Sequence, residues 1–139
     1  MIVLDTNVIS EIFRPKPDAR VVAWLESLAG DVAITSVTLA ELLAGVRRLP
    51  DSKRRSALSA TIEFALQPYR ETRAVLSFDE EAAAHYADVL VVREQAGLPI
   101  STADAQIAAI CRSHKAACAT RNIKDFVQTG IELLDPWTD

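Results

Sequence analysis

Four acidic residues each follow a different apolar segment of the chain: Asp5, Glu41, Asp104 and Asp125. Open α/β sheets bind their ligands beyond the carboxyl ends of the strands, so folding can gather these four side chains at one edge. Gathered carboxylates repel one another, and each pKa rises unless a cation joins them. Oxygen ligands without His or Cys favour Mg²⁺ or Mn²⁺, which polarise a phosphodiester and activate a water. The spacing therefore suggests a metal site.

The same acids also fit a simpler role in helix caps and turns. Asp5 can cap the first helix, and Asn122-x-x-Asp125 is typical of a turn. Three stretches have the form of a capping box: Thr38-x-x-Glu41, Ser101-x-x-Asp104 and Ser77-x-x-Glu80. We assign the Ser77 pattern to capping alone. For the other acids, spacing by itself leaves capping and metal binding both open.

One basic cluster lies in the middle of the sequence, with Asp51 as the only acid inside it. Its members are Arg47, Arg48, Lys53, Arg54 and Arg55. Such a cluster can contact RNA phosphates. The alternative is a solvated helix end, which is the usual role of an isolated charge run.

Cys111, His114 and Cys118 have a spacing that resembles a zinc site. A structural zinc site takes four ligands, and only three are present in this stretch. We therefore interpret them as two free thiols and a surface histidine.

Apolar strands and amphipathic helices alternate along the chain and predict the elements that must position the acids. Strands are predicted at 2–4, 32–35, 72–76, 116–119 and 131–134. Helices are predicted at 8–13, from Asp18, at 37–49, 52–66 and 79–95, and from Ser101. This alternation predicts an α/β fold, a three-layer α/β/α sandwich with a parallel central sheet. The order of the strands is not predictable from the pattern.

Length and composition limit the classes of protein that fit. The 139 residues suit one domain, 1–139, with a core of its own. A net charge of −4 excludes a generally basic nucleic-acid-binding protein, although not a nuclease. Two Cys suggest a reducing cytosol, and neither a signal peptide nor a run of ~20 apolar residues is visible. We therefore expect a cytoplasmic protein with no membrane partner.

The motifs around the four acids resemble those of PIN-domain ribonuclease toxins of the VapC and FitB-like type, in the same order along nearly the whole chain. They are Ile2-Val3-Leu4-Asp5-Thr6-Asn7, Thr38-Leu39-Ala40-Glu41-Leu42, Ile100-Ser101-Thr102-Ala103-Asp104-Ala105-Gln106-Ile107-Ala108-Ala109, and Thr120-Arg121-Asn122-Ile123-Lys124-Asp125-Phe126 with Gly130 and Pro136-Trp137. The resemblance implies a PIN-like, Rossmann-like fold. It also implies an Mg²⁺- or Mn²⁺-dependent endoribonuclease, the toxin of a type II toxin–antitoxin pair.

By position, the resemblance makes Asp5 and Asp104 the principal metal ligands, with Glu41 and Asp125 completing the acidic pocket. It implies four further residues that orient these carboxylates: Thr6, Asn7, Thr120 and Asn122. The implied reaction is in-line attack of metal-activated water on RNA, with tRNA as one candidate substrate. The implied partners are a cognate antitoxin, operator DNA reached only through that antitoxin, and a second copy of the chain in a homodimer.

Two other functions compete with the nuclease. A phosphatase of the haloacid dehalogenase type also begins with an acid after its first strand, but Asn7 replaces the second acid of that pattern. A catalytically silent PIN module would only bind an antitoxin and regulate DNA binding through it. The presence of all four acids favours the nuclease.

Overall fold

The computed structural model describes residues 1–138. In chain order, the elements are β1 (Ile2–Leu4), α1 (Thr6–Glu11), α2 (Ala19–Ser27), β2 (Val32–Thr35), α3 (Ser36–Arg47), α4 (Lys53–Glu71), β3 (Val75–Leu76), α5 (Glu80–Gln95), α6 (Thr102–Ser113), β4 (Ala117–Ala119), α7 (Ile123–Phe126) and β5 (Leu133–Leu134). No helix within these residues is both long enough and apolar enough to cross a membrane.

The five strands form one parallel sheet in the order β3-β2-β1-β4-β5. The first strand therefore lies at the centre, with Val3 beside Ala33 of β2 and beside Cys118 of β4. The chain builds outward from β1 on one side and then crosses to the other side at β4. Strand order reverses between β1 and β4, and a crevice for ligands opens at such a point, beyond the carboxyl ends of the strands.

Alternate residues of each strand serve two separate hydrophobic cores. On β1, Val3 packs in one core with residues of α5 and α6 such as Val89 and Ile107. Its neighbour Leu4 points to the opposite face, where it joins residues of α1 and α4 such as Val8. Helices thus cover both faces of the sheet, which confirms the predicted three-layer α/β/α sandwich with a parallel central sheet.

Two of the expected capping boxes are wrong. The N-cap of α5 is Asp79, whose side chain accepts a hydrogen bond from the N–H of Ala82 at 2.9 Å, and Ser77 lies outside the helix. The N-cap of α3 is Thr35, which accepts from the N–H of Thr38 at 3.0 Å. Because β2 continues directly into α3, its last residue has to cap the helix, and Thr38 falls inside the first turn.

The fourth helix is longer than predicted, since it continues from Leu66 through Pro68 to Glu71. Pro68 lacks an N–H and is normally disruptive inside a helix. Here it stands in the last turn on the exposed side, while Leu66 and Tyr69 pack into the core next to β1 and β2. This packing holds the last turn in place. The strand β3 consequently starts only at Val75.

Candidate active site at the carboxyl edge of the sheet

Asp5 occupies the reversal point of the sheet. It directly follows β1, and its N–H donates to the carbonyl of Ala119 at the end of β4 at 2.9 Å. Its carboxylate also caps α1 by accepting from the N–H of Thr6 at 2.8 Å. The capping interpretation is therefore confirmed for this residue. Capping uses one oxygen of a side chain that is 5 % exposed, and leaves the other oxygen facing β4.

The second oxygen of Asp5 is held by a network that spans β1 and β4. The hydroxyl of Thr120 donates to it at 2.8 Å, and the Asn7 amide donates to it at 3.3 Å. The N–H of Asn122 donates to the Thr120 oxygen at 3.0 Å, and the N–H of Arg121 donates to the Asn7 carbonyl at 3.2 Å. The network therefore fixes the rotation of the Asp5 carboxylate. Asn122 takes part through its backbone.

Glu41 reaches the same edge from α3. The hydroxyl of Thr6 donates to its Oε1 at 2.7 Å and lies 3.0 Å from the hydroxyl of the buried Thr38. Thr6 thus connects the two acids, because its N–H holds Asp5 and its hydroxyl holds Glu41. In contrast to Asp5, Glu41 is exposed to solvent.

The other two acids come from the opposite side of the crevice. Asp104 stands in the first turn of α6, where its N–H donates to the capping hydroxyl of Ser101 at 3.1 Å. Asp125 lies in the short helix α7 that follows β4. Both side chains are half-buried. The capping role of Ser101 is confirmed, and it places Asp104 at the positive end of a 12-residue helix.

The protonation behaviour of the acids shows that they share one electrostatic environment. Burial raises the pKa of Asp5 to about 6, the negative charges of Asp104 and Glu41 add to the rise, and the hydrogen bonds from Thr120 and Thr6 oppose it. Partial burial also raises the pKa of Asp104, and the negative charges of Asp125 and Glu41 raise it further, while a hydrogen bond with Ser101 and the positive charge of Arg93 oppose the rise. All four acids are thus coupled at one edge of the sheet.

The four acids offer the donor atoms that a divalent cation requires. Carboxylate oxygens are the ligands that Mg²⁺ and Mn²⁺ prefer, and a cation would relieve the repulsion that raises these pKa values. Within residues 1–138, no three His, Cys, Asp or Glu side chains stand close enough together to hold an ion in the present side-chain arrangement. The four acids therefore match a divalent ion in the chemistry of their donor atoms.

Comparison with known proteins identifies the family. Residues 2–131 match the PIN domain. The chain belongs to the PIN-domain family. It is similar to Toxin FitB of Neisseria gonorrhoeae, with 41 % identity over 140 residues and full coverage of both chains. It is also similar to VapC ribonuclease Y4jK of Sinorhizobium fredii, with 37 % identity over 138 residues covering 99 % of this chain and 98 % of that protein. The solved structure of FitAB bound to an IR36 DNA fragment superimposes with a TM-score of 0.93 at 39 % identity, covering 100 % of this chain and 97 % of that one.

Sequence reasoning missed two residues that support the candidate site, Thr35 and Arg93, and gave Thr38 only as a capping residue. The hydroxyl of Thr38 contacts that of Thr6, and Thr35 holds Thr38 by capping α3. The only sequence signal for Thr35 was its type, which is common at helix starts. Arg93 is 3 % exposed on α5 and bonds only to backbone carbonyls. No spacing of side chains could have revealed such a residue.

The basic cluster lies away from the acids of the PIN domain. Arg47 and Arg48 are at the carboxyl end of α3, and Lys53, Arg54 and Arg55 form the first turn of α4. Arg47 lies six positions after Glu41 in α3, which corresponds to roughly 9 Å along the helix axis. Over the described part of the chain, none of the five basic side chains forms an ion pair.

The cysteines of the PIN domain are buried free thiols on α6 and β4, and His114 is exposed. A hydrogen bond with the Cys111 thiol, together with burial, raises the pKa of Cys118. No cluster of potential metal ligands includes them within residues 1–138. The two unpaired, buried thiols and the exposed histidine agree with the interpretation from the sequence.

Proposed function

We propose that this PIN domain is a divalent-metal-dependent endoribonuclease and the toxin of a type II toxin–antitoxin pair. One observation carries the proposal: a buried Asp5 at the reversal point of the sheet, electrostatically coupled to Asp104 and Glu41. A buried carboxylate surrounded by other carboxylates is costly for a purely structural role, because a neutral residue would cap α1 without the repulsion. The names of the relatives, a toxin and a VapC ribonuclease, support the same function.

In this proposal Asp5 and Asp104 hold the ion, and Glu41 and Asp125 complete the pocket. When bound, Mg²⁺ or Mn²⁺ would polarise the phosphodiester and lower the pKa of a water. Thr6 and Thr120 keep Asp5 in one orientation, so that its oxygens need not reorganise during the reaction. The exposed Glu41, which Thr6 orients, and the half-buried Asp125 would position the attacking water and accept its proton.

The proposed partners follow from the same relatives and from the surface. FitAB was solved on a DNA fragment, which supports a cognate antitoxin that brings operator DNA to this chain. A homodimer is proposed as well. The substrate is RNA, with tRNA as one candidate. We assign the basic cluster at residues 47–55 to contacts with RNA phosphates, because its cations have no acidic partners among residues 1–138.

The test uses purified protein freed of antitoxin and incubated with total tRNA and other cellular RNA. Cleavage is expected with Mg²⁺ or Mn²⁺ and is expected to stop in EDTA. Asp5→Asn and Asp104→Asn should abolish cleavage, whereas Asp31→Asn, a change at an exposed acid outside the site, should leave it intact. The readout is the rate at which defined RNA fragments appear on a gel.

Two outcomes would contradict the proposal in different ways. Cleavage that survives EDTA or both site substitutions would exclude the metal site. Absence of cleavage of every RNA, together with tight antitoxin binding, would favour the silent module that regulates DNA binding through its antitoxin.

A further inference from the structure

Arg93 is a buried cation whose hydrogen bonds go entirely to backbone carbonyls. It sits in the last turn of α5 and is 3 % exposed. Its Nε donates to the carbonyl of Leu98 at 2.9 Å and its Nη2 to that of Pro99 at 3.1 Å. Its Nη1 donates to the carbonyls of Val127 at 2.8 Å and Lys124 at 3.4 Å. A buried charge is costly unless it is fully hydrogen-bonded. The burial of the Arg93 guanidinium therefore depends on all four of these contacts together.

The four carbonyls belong to the two segments that carry the acids of one side of the crevice. Leu98 and Pro99 lie just before Ser101, the residue that caps α6 and fixes the turn containing Asp104. Lys124 and Val127 flank Asp125 in and after α7. A guanidinium presents its donors in a rigid planar fork, so one side chain can hold both segments at a fixed separation.

The opposite side of the crevice is held by a different set of contacts. Thr6 connects Asp5 with Glu41, and Thr120 connects Asp5 with β4. Within residues 1–138, no hydrogen bond joins either of those acids to Asp104 or Asp125. The edge of the sheet that carries the four acids, the acidic edge, is therefore held by two sets of contacts, of which one depends on Arg93 of α5. The two sets meet at Asn122, whose N–H donates to Thr120 and whose carbonyl accepts from the N–H of Asp125.

We propose that Arg93 is a positioning residue that sets the separation of Asp104 and Asp125 and thereby makes the acidic edge competent to bind a divalent ion. The inference rests on the proposed function, since it concerns the same edge. It assigns a role to α5, a helix that carries none of the four acids.

The test is Mn²⁺ binding by calorimetry, which needs no substrate, on wild-type protein, Arg93→Lys and Arg93→Met. Arg93→Lys keeps the charge and loses the fork, because an ammonium cannot reach four carbonyls on two segments. We expect Mn²⁺ affinity to fall about 10-fold in Arg93→Lys and up to about 100-fold in Arg93→Met, the range found for residues that orient metal ligands. Val89→Ala, in the buried face of the same helix, is the control for lost stability and is expected to keep wild-type affinity.

Hydrogen exchange gives a second, independent readout. In Arg93→Lys, amides at 100–104 and 123–127 should both exchange faster, while those at 5–8 should not change. Four results would overturn the proposal. Three concern Mn²⁺ affinity: wild-type affinity in both Arg93 variants, full wild-type affinity in Arg93→Lys alone, or a loss in Val89→Ala equal to that in the Arg93 variants. The fourth is failure of both Arg93 variants to fold. If the wild type binds no Mn²⁺, the proposed function fails by itself, and unchanged exchange at the two segments would overturn the positioning role separately.

Discussion

Asp5 is the residue at which the stability of the fold and the proposed activity make opposite demands. Its carboxyl has a usual pKa of 3.8 when unfolded and about 6 when folded, mainly because of burial. Between these values the unfolded chain has lost the proton that the folded chain still holds, so rising pH favours unfolding. The contribution of Asp5 to stability is complete below about pH 3.8 and is lost as the pH rises through about 6. Two pKa units correspond to on the order of 3 kcal/mol.

The corresponding prediction concerns Asp5→Asn in EDTA, where no ion can compensate the charge. When the pH rises from about 3.5 to about 8, the free energy of unfolding of the wild type should fall relative to that of the variant by on the order of 2–3 kcal/mol. Urea unfolding at several pH values measures it. Asp31→Asn, at an exposed acid, should follow the wild-type pH dependence. If the free energies of unfolding of Asp5→Asn and wild type changed with pH in the same way, the pKa of Asp5 would not be raised by burial.

Thr6 provides a second prediction at the scale of single residues. Thr6→Val keeps the shape of the side chain and the N–H bond to Asp5, while it removes the hydroxyl that donates to Glu41. Loss of an orienting hydrogen bond of this kind is expected to lower cleavage about 10- to 100-fold. Thr61→Val, at an exposed hydroxyl that bonds only within α4, is the matched control and should retain full activity. Equal activity of the two variants would contradict a role for Thr6.

At the scale of elements, the first turn of α6 couples helix stability to the site. Ser101 and Ser52 are both N-cap serines, but only Ser101 precedes an acid of the crevice. Ser101→Ala and Ser52→Ala should each lower the unfolding free energy by about 1 kcal/mol. We expect only Ser101→Ala to reduce the cleavage rate when Mn²⁺ and RNA are both saturating, since weaker RNA binding by the first turn of α4 then has no effect on the rate. A matching loss of activity in Ser52→Ala would mean that activity follows global stability.

The caps also separate what local sequence can predict from what it cannot. The capping role of Asp5 was predictable because a short apolar strand, residues 2–4, ends directly before it and a helix begins directly after it. The N-cap of α5 was wrongly predicted at Ser77 because the stretch Ser77-x-x-Glu80 has the form of a capping box. In the structure α5 is capped by Asp79, and Phe78 packs edge-on against Tyr86 of the same helix with ring centres 5.7 Å apart. The strand order could not be predicted from local sequence, because β1 pairs with β4, which lies more than 100 residues later in the chain. Arg93 was out of reach because its partners are backbone atoms.

Across the whole molecule, the net charge of −4 is unevenly distributed. Without the four acids of the crevice, 19 − 4 = 15 acidic residues balance the 15 basic ones. The acidic edge alone would repel a polyanion, and bound cations would remove that barrier. The basic cluster at the junction of α3 and α4 adds attraction for phosphates on the same side of the sheet as α1. RNA binding should therefore depend on both the metal ion and the cluster.

The last prediction separates this local attraction from the total charge of the protein. The background is Glu41→Gln, which is expected to prevent cleavage while it keeps the two proposed metal ligands Asp5 and Asp104. In this background, Arg47→Gln with Arg48→Gln changes the net charge by −2. So does Arg20→Gln with Arg70→Gln, but these two arginines are already paired with Asp18 and Glu63. Each lost phosphate contact to single-stranded RNA reduces the slope of log K against log salt by about 0.7. The first pair should reduce it by about 1.4, measured by fluorescence anisotropy in Mn²⁺, and the second pair should leave it unchanged. Equal effects would mean that total charge alone governs RNA binding, and an unchanged slope in both would remove the cluster from the RNA-binding surface.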